Sequence, residues 1–164
     1  MKYLISYFYQ IRFMKSNMLP VSTAAYDPKW FHKDKDNNYR YLDKNCVLNG
    51  YRIEKLVLSL QRYHNLERKK LDCGSICGNG NAIISNTCPF MIEYAEHLRE
   101  TYPNFNDFLM ECEKEVEELN SRFNFGIDTI VLIVHETPSR GCGERPVLQE
   151  WFRENGYELE EFNQ

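Results

Sequence analysis

The run Ile127-Asp-Thr-Ile-Val-Leu-Ile-Val134 constrains the fold more than any other segment. From Ile130 onward it carries no polar residue, and branched side chains fill every position. Continuous apolar character of this length predicts a central strand of a parallel sheet, covered on both sides. The residues that follow agree. After a loop, Pro146–Asn155 reads as a helix, with Val147, Leu148, Trp151 and Phe152 turned to the core. Gly156 is placed to stop that helix in a left-handed conformation, and Tyr157–Phe162 reads as a further strand. Strand, helix, glycine, strand is the order of a right-handed βαβ unit.

Upstream, Lys2–Tyr9 is dense in aromatic and branched residues and predicts a buried strand. It leads through Gln10–Met14 into a Pro-containing loop, Leu19-Pro20-Val21-Ser22. Tyr26–Tyr41 is polar and turn-like, with Asp27-Pro28 and Asp36-Asn37-Asn38 as breakers. Between Arg52 and Glu67 the spacing of Leu56, Val57, Leu60 and Tyr63 predicts a helix. Residues 72–88 form a Cys/Gly/Asn-rich loop insertion. Thr87 is placed to cap a helix starting near Pro89, with Phe90, Tyr94 and Leu98 on one face. Beyond Pro103, a stripe of Phe105, Phe108, Leu109, Cys112, Val116 and Leu119 marks another. The expectation is a single α/β domain over residues 1–164, three layers built on a mostly parallel central sheet.

Charge narrows the partners. The chain has 164 residues, 43% of them hydrophobic, and a formal charge of −4. Acids gather late, in Glu111–Glu118 and Glu154–Glu161, and only Arg62–Lys70 is locally basic. Duplex nucleic acid is therefore not an expected partner, since phosphate neutralisation needs a basic face. The apolar start, Tyr3–Tyr9, is broken by Gln10, Arg12 and Lys15 before any cleavage site. No run approaches the roughly 18 apolar residues of a membrane span. A cytosolic location is the expectation, with the six cysteines reduced. Abundant Asn, Lys, Tyr and Ile fit an AT-rich genome, as in many phages.

In open α/β sheets, ligands sit beyond the carboxyl ends of the strands. Here that position holds His135-Glu136-Thr137-Pro138-Ser139-Arg140-Gly141-Cys142-Gly143-Glu144-Arg145-Pro146. The next helix would aim its free N–H groups at the same space. Arg140 and Arg145 supply planar donor forks for an anion. Cys142 stands between two glycines, near arginines and a helix start, which favours thiolate. Cys142, Glu136 and Glu144 are the candidate catalytic residues, the glutamates as general acid and base. Arg145 follows Cys142 by three residues, so the Cys-x5-Arg loop of phosphatases is absent.

Two short motifs carry a resemblance. Arg12 and Pro20-Val21-Ser22 follow the first strand, and Glu136, Cys142 and Arg145 follow the apolar strand. In this the chain resembles the family named domain of unknown function 488, at its two ends and not in its middle. Family members commonly carry Cys-His-Arg where this chain has Cys142-Gly143-Glu144-Arg145, so no histidine chemistry is carried over. The resemblance implies a Rossmann-like fold and a polar pocket shared by Arg12, Ser22, Glu136, Cys142 and Arg145. It implies no activity.

Cys73, Cys77 and Cys88 make an incomplete zinc pattern, with His97 or Cys112 as the fourth position. No cofactor is expected, and zinc is the alternative. Tyr26, Asp27, Trp30 and Phe31 form an aromatic-acidic cluster, suited to stack a base or to close over the core. The leading expectation is a domain that binds a small anionic, nucleotide-like ligand. Its phosphate would meet Arg145, Arg140 and the helix start, Arg12 would stand opposite, and Tyr26 or Trp30 would stack. The alternatives are an enzyme acting on a nucleotide or nucleic-acid base, and a protein-interaction module.

Overall fold

The computed structural model describes residues 1–31, 41–42, 48–57, 88–139 and 142–163. Their strands are β1 (Lys2–Tyr7), β2 (Met18–Ser22), β3 (Tyr41–Leu42), β4 (Leu48–Arg52), β5 (Thr129–Val134) and β6 (Glu160–Glu161). The α-helices are α1 (Pro89–Thr101), α2 (Phe105–Phe123) and α3 (Glu144–Glu154). One sheet runs in the order β3-β4-β2-β5-β1-β6. Every pairing in it is parallel except β3 with β4. The chain is thus one α/β domain of Rossmann-like build.

The central position of β5 follows from its sequence. All six of its residues are buried, and it is flanked on both sides, by β1 and by β2. The alternation of the strand divides its side chains between two cores. Ile130, Leu132 and Val134 join Tyr3, Leu19 and Val21 beneath all three α-helices. Val131 and Ile133 join Leu4 on the opposite face, with Phe8, Ala24 and Phe31. A 3-10 helix over Phe8–Phe13 links β1 to β2 across that second face.

Two expectations about the first 22 residues are corrected by the structure. The first strand ends at Tyr7 rather than Tyr9, where the 3-10 helix begins. The segment read as a Pro-containing loop is strand β2, paired with β5 from Met18 to Ser22. Proline is rare in interior strands because it lacks an N–H. Here the Thr23 N–H donates to the Ile133 carbonyl, and the Asn17 carbonyl accepts from Asp128 N–H. Odd-numbered residues therefore face β5, and Pro20 turns its missing donor toward β4. The β4 ladder registers only with Val21 and Ser22, so little is lost.

The helices carry the predicted faces. Pro89 opens α1, whose N-cap is Cys88 rather than Thr87, and Phe90, Met91, Tyr94 and Leu98 are buried. The Asn104 side chain accepts from Asn106 N–H at 3.1 Å to start α2. Asn124, at φ 54°, ends it. Tyr157 N–H reaches back to the Phe152 carbonyl around Gly156, whose φ is +84°, as a left-handed stop requires. The final strand is shorter than Tyr157–Phe162, since β6 meets only Leu4 and Ile5. Arg52 closes β4 rather than opening a helix, and Glu54–Leu56 form a 3-10 turn. The rest of the helix expected to Glu67, and the insertion before Cys88, lie outside the described residues. No helix among the described residues is long and apolar enough to cross a membrane.

Candidate functional site

The chain leaves β1 and β2 toward one face and β5 toward the other. Phe8 and Ala24 pack in the second core, whereas Val147 and Leu148 of α3 pack in the first. Neighbouring strands that part in this way open a crevice at their carboxyl ends. Glu136, two residues beyond β5, sits there and is nine-tenths buried. Its Oε1 accepts the N–H of Glu144 at 3.0 Å. That N–H is the first of α3, so the helix end expected to hold a ligand's anion already holds a carboxylate of this chain. The cap also lets α3 begin two residues before Pro146, which is harmless in a first turn.

Gly143 makes the contact possible. It sits at φ +119°, and an added Cβ would stand 1.8 Å from Glu136 Oε1. The other carboxylate oxygen, Oε2, is buried and has no hydrogen-bond partner among the described residues.

Arg145 has a different fate from the one its sequence context predicts. The residue is 4% exposed. Its Nη1 donates to Glu161 on β6, and its Nη2 donates to the Glu136 carbonyl. A guanidinium so enclosed is a strut between α3, β5 and β6, not a donor held out to a ligand. Arg12 is also elsewhere. It lies exposed on the 3-10 helix with its Cζ 3.6 Å above the Tyr9 ring, and its Nε donates to the Tyr9 carbonyl at 3.1 Å. Arg140 lies outside the described residues.

On the β2 side, the Thr23 hydroxyl lies 3.1 Å from the Ile133 carbonyl and 3.4 Å from Glu144 Oε2. Glu144 is itself buried. Tyr94, from α1, is buried behind them and donates to the Leu56 carbonyl at 2.9 Å. Burial first, and then the charges of Glu144 and Glu136, hold its phenol well above the ordinary value. Ser22 is wholly buried and donates to Asp27. Asp27 in turn accepts from Arg52 Nη1 at 3.0 Å, and the same nitrogen donates to the Ala24 carbonyl at 2.8 Å. This half-buried pair pins the turn after β2 to the end of β4.

Cys142 packs against the core beneath the helices. His135 lies on the other face, its ring 4.9 Å from Phe8, with Nε2–H donating to the Tyr26 carbonyl at 2.6 Å. The two therefore do not form a nucleophile–base pair. Tyr26 and Trp30 are both exposed. The crevice thus brings together Glu136 and Glu144, with Thr23 and Tyr94, which the sequence did not single out. Thr23 carries no signal beyond its place after Pro-x-Ser, and Tyr94 reads only as an apolar-face residue.

No family model matches this chain, and no curated protein or solved structure does either.

Cys73 and Cys77 of the incomplete zinc pattern lie outside the described residues. Cys88 is half-buried at the start of α1, and burial pushes the Cys112 thiol far up. Among the described residues no three His, Cys, Asp or Glu gather as metal ligands would. A groove of about 320 Å³ between α1 and α3, floored by Met91, Ala95, Val147 and Trp151, is separate from the crevice.

Proposed function

We propose that this domain binds a small planar ligand of the nucleobase or nucleoside class at the carboxyl end of β5. The unpartnered Glu136 Oε2 carries the reading. A buried carboxylate oxygen is an acceptor awaiting an N–H, and leaving it unmet costs about 1–3 kcal/mol or more. Bases and their exocyclic amines present such donors. The phosphate half of a nucleotide finds less support, because both terminal nitrogens of Arg145 and the first N–H of α3 are engaged within the chain.

Titration calorimetry with nucleosides and their 5′-phosphates tests this, against wild type and Glu136→Gln. Glutamine can keep the bond to Glu144 N–H while placing a donor where the free oxygen was. Nucleoside binding is expected, with the phosphate adding little, and Glu136→Gln should weaken it at least about tenfold. No binding of any nucleoside, or equal binding by both proteins, would overturn the proposal.

A catalytic form of the same reading rests on Glu144 lying beside Glu136, since paired buried carboxylates can divide acid and base roles. Turnover of a bound nucleoside that survives Glu136→Gln with Glu144→Gln excludes it.

A further inference from the structure

The chain's charge is unevenly divided. Residues 1–53 hold nine Lys and Arg against four Asp and no Glu, in a protein whose formal charge is −4. Three of these cations stand exposed on two described segments. Arg12, on the 3-10 helix, and Lys15, just beyond it, are exposed, and Lys29 is exposed in the turn after β2. The one acid described in these two segments, Asp27, is already engaged by Arg52.

The same two segments carry exposed rings. Tyr9 is 53% exposed, Phe13 38%, Tyr26 59% and Trp30 51%. Rings this open contribute little to the core, yet they are held in place. Tyr9 stacks on Tyr7 with centroids 6.4 Å apart, and the Arg12 guanidinium covers it at 3.6 Å. Trp30 stands perpendicular to both Phe8 and Phe31. Trp30 meets Phe8, the residue before Tyr9, so the two segments adjoin.

We infer that this surface binds single-stranded nucleic acid. Fixed, open aromatic rings interleaved with cations offer stacking to bases and charge to the backbone, without reading sequence. A duplex keeps its bases stacked on each other and cannot use the rings. A lipid surface would call for an amphipathic helix long enough to bury a continuous apolar face, whereas this element is a single 3-10 helix of six residues. The inference does not depend on the Glu136 crevice, which none of these side chains enters into bonds with.

Two readouts test it. Anisotropy of a labelled mixed-sequence 15-mer reports binding, for DNA and RNA single strands and for the matching duplex. Quenching of tryptophan emission reports contact with Trp30, since the second tryptophan, Trp151, is buried. Single strands should bind and quench, and the duplex should bind more weakly. Tyr9→Ala and Trp30→Ala should each weaken binding about tenfold, with circular dichroism checking that each variant is folded under the binding conditions. Arg12→Ala should lower the dependence on salt by about one ion. Glu136→Gln should leave strand binding intact, so failure of the crevice reading is separable from failure of this one. Absence of single-strand binding, or strand binding unaffected by both aromatic substitutions, overturns the inference. So does Tyr9- and Trp30-dependent binding to phosphatidylserine vesicles without binding to either single strand.

Discussion

Replacing Gly143 with alanine should destabilise this protein far more than one methyl group suggests. The residue sits at φ +119° and ψ −152°, a region essentially reserved for glycine, where another residue costs roughly 1–3 kcal/mol. The new Cβ would also stand 1.8 Å from Glu136 Oε1 and 2.5 Å from its Cδ. The carboxylate must then swing away, losing its bond to Glu144 N–H. A hydrogen bond to a charged group is worth about 1.5–3 kcal/mol. The combined loss is about 3–5 kcal/mol, a large share of the roughly 5–15 kcal/mol that holds a domain folded. At this chain length it lowers the thermal midpoint by about 10 °C or more. Urea unfolding followed by circular dichroism gives the loss directly, provided the slope is unchanged. Gly156→Ala is the control. Its φ is +84° with no atom within 4 Å of the added Cβ, so only the backbone cost of about 1–2 kcal/mol remains. Glu136→Ala combined with Gly143→Ala should fall short of the sum of the single losses, because both remove the same bond. If Gly143→Ala costs no more than Gly156→Ala, the assigned contact is wrong.

Two further outcomes follow from the buried charges. Arg145→Met strands Glu161 and the Glu136 carbonyl and should cost about 3–5 kcal/mol in urea unfolding, with part regained by adding Glu161→Leu. A loss under about 1 kcal/mol would mean that Arg145 is not a strut. Asp27 gives a pH signature. Burial raises its carboxyl above the ordinary 3.8, against the opposing pull of Ser22 and Arg52. A raised acid binds its proton more tightly in the folded chain, so that stabilisation is complete below pH 3.8 and fades as pH rises through the folded value. The stability of wild type relative to Asp27→Asn should therefore decline with rising pH across that window. A difference that grows with pH refutes the shift.

The sheet's centre was legible because its signal is local. Ile130–Val134 has no polar residue to put against water, so its burial on both faces needed no knowledge of its neighbours. The helical stripes and the Gly156 stop were legible for the same reason. Strand β2 was not. Pro20 argues against an interior strand, and only the register of β4, beginning at Val21, shows where its missing donor does no harm. The crevice was half legible, since strand order placed Glu136 and Glu144 at the sheet's carboxyl edge, but nothing local showed that one would cap the other's N–H.

Sequence alone determined that this chain builds an α/β domain and that polar chemistry gathers after Val134. Tertiary structure alone decided what each charge there does. A buried arginine pairs with the carboxylate that the fold sets beside it, and Glu161 is delivered by β6 on the far side of β1. Side-chain identity sets what a group can bond to. Only the path of the chain sets whether its partner is a ligand or another part of the same protein.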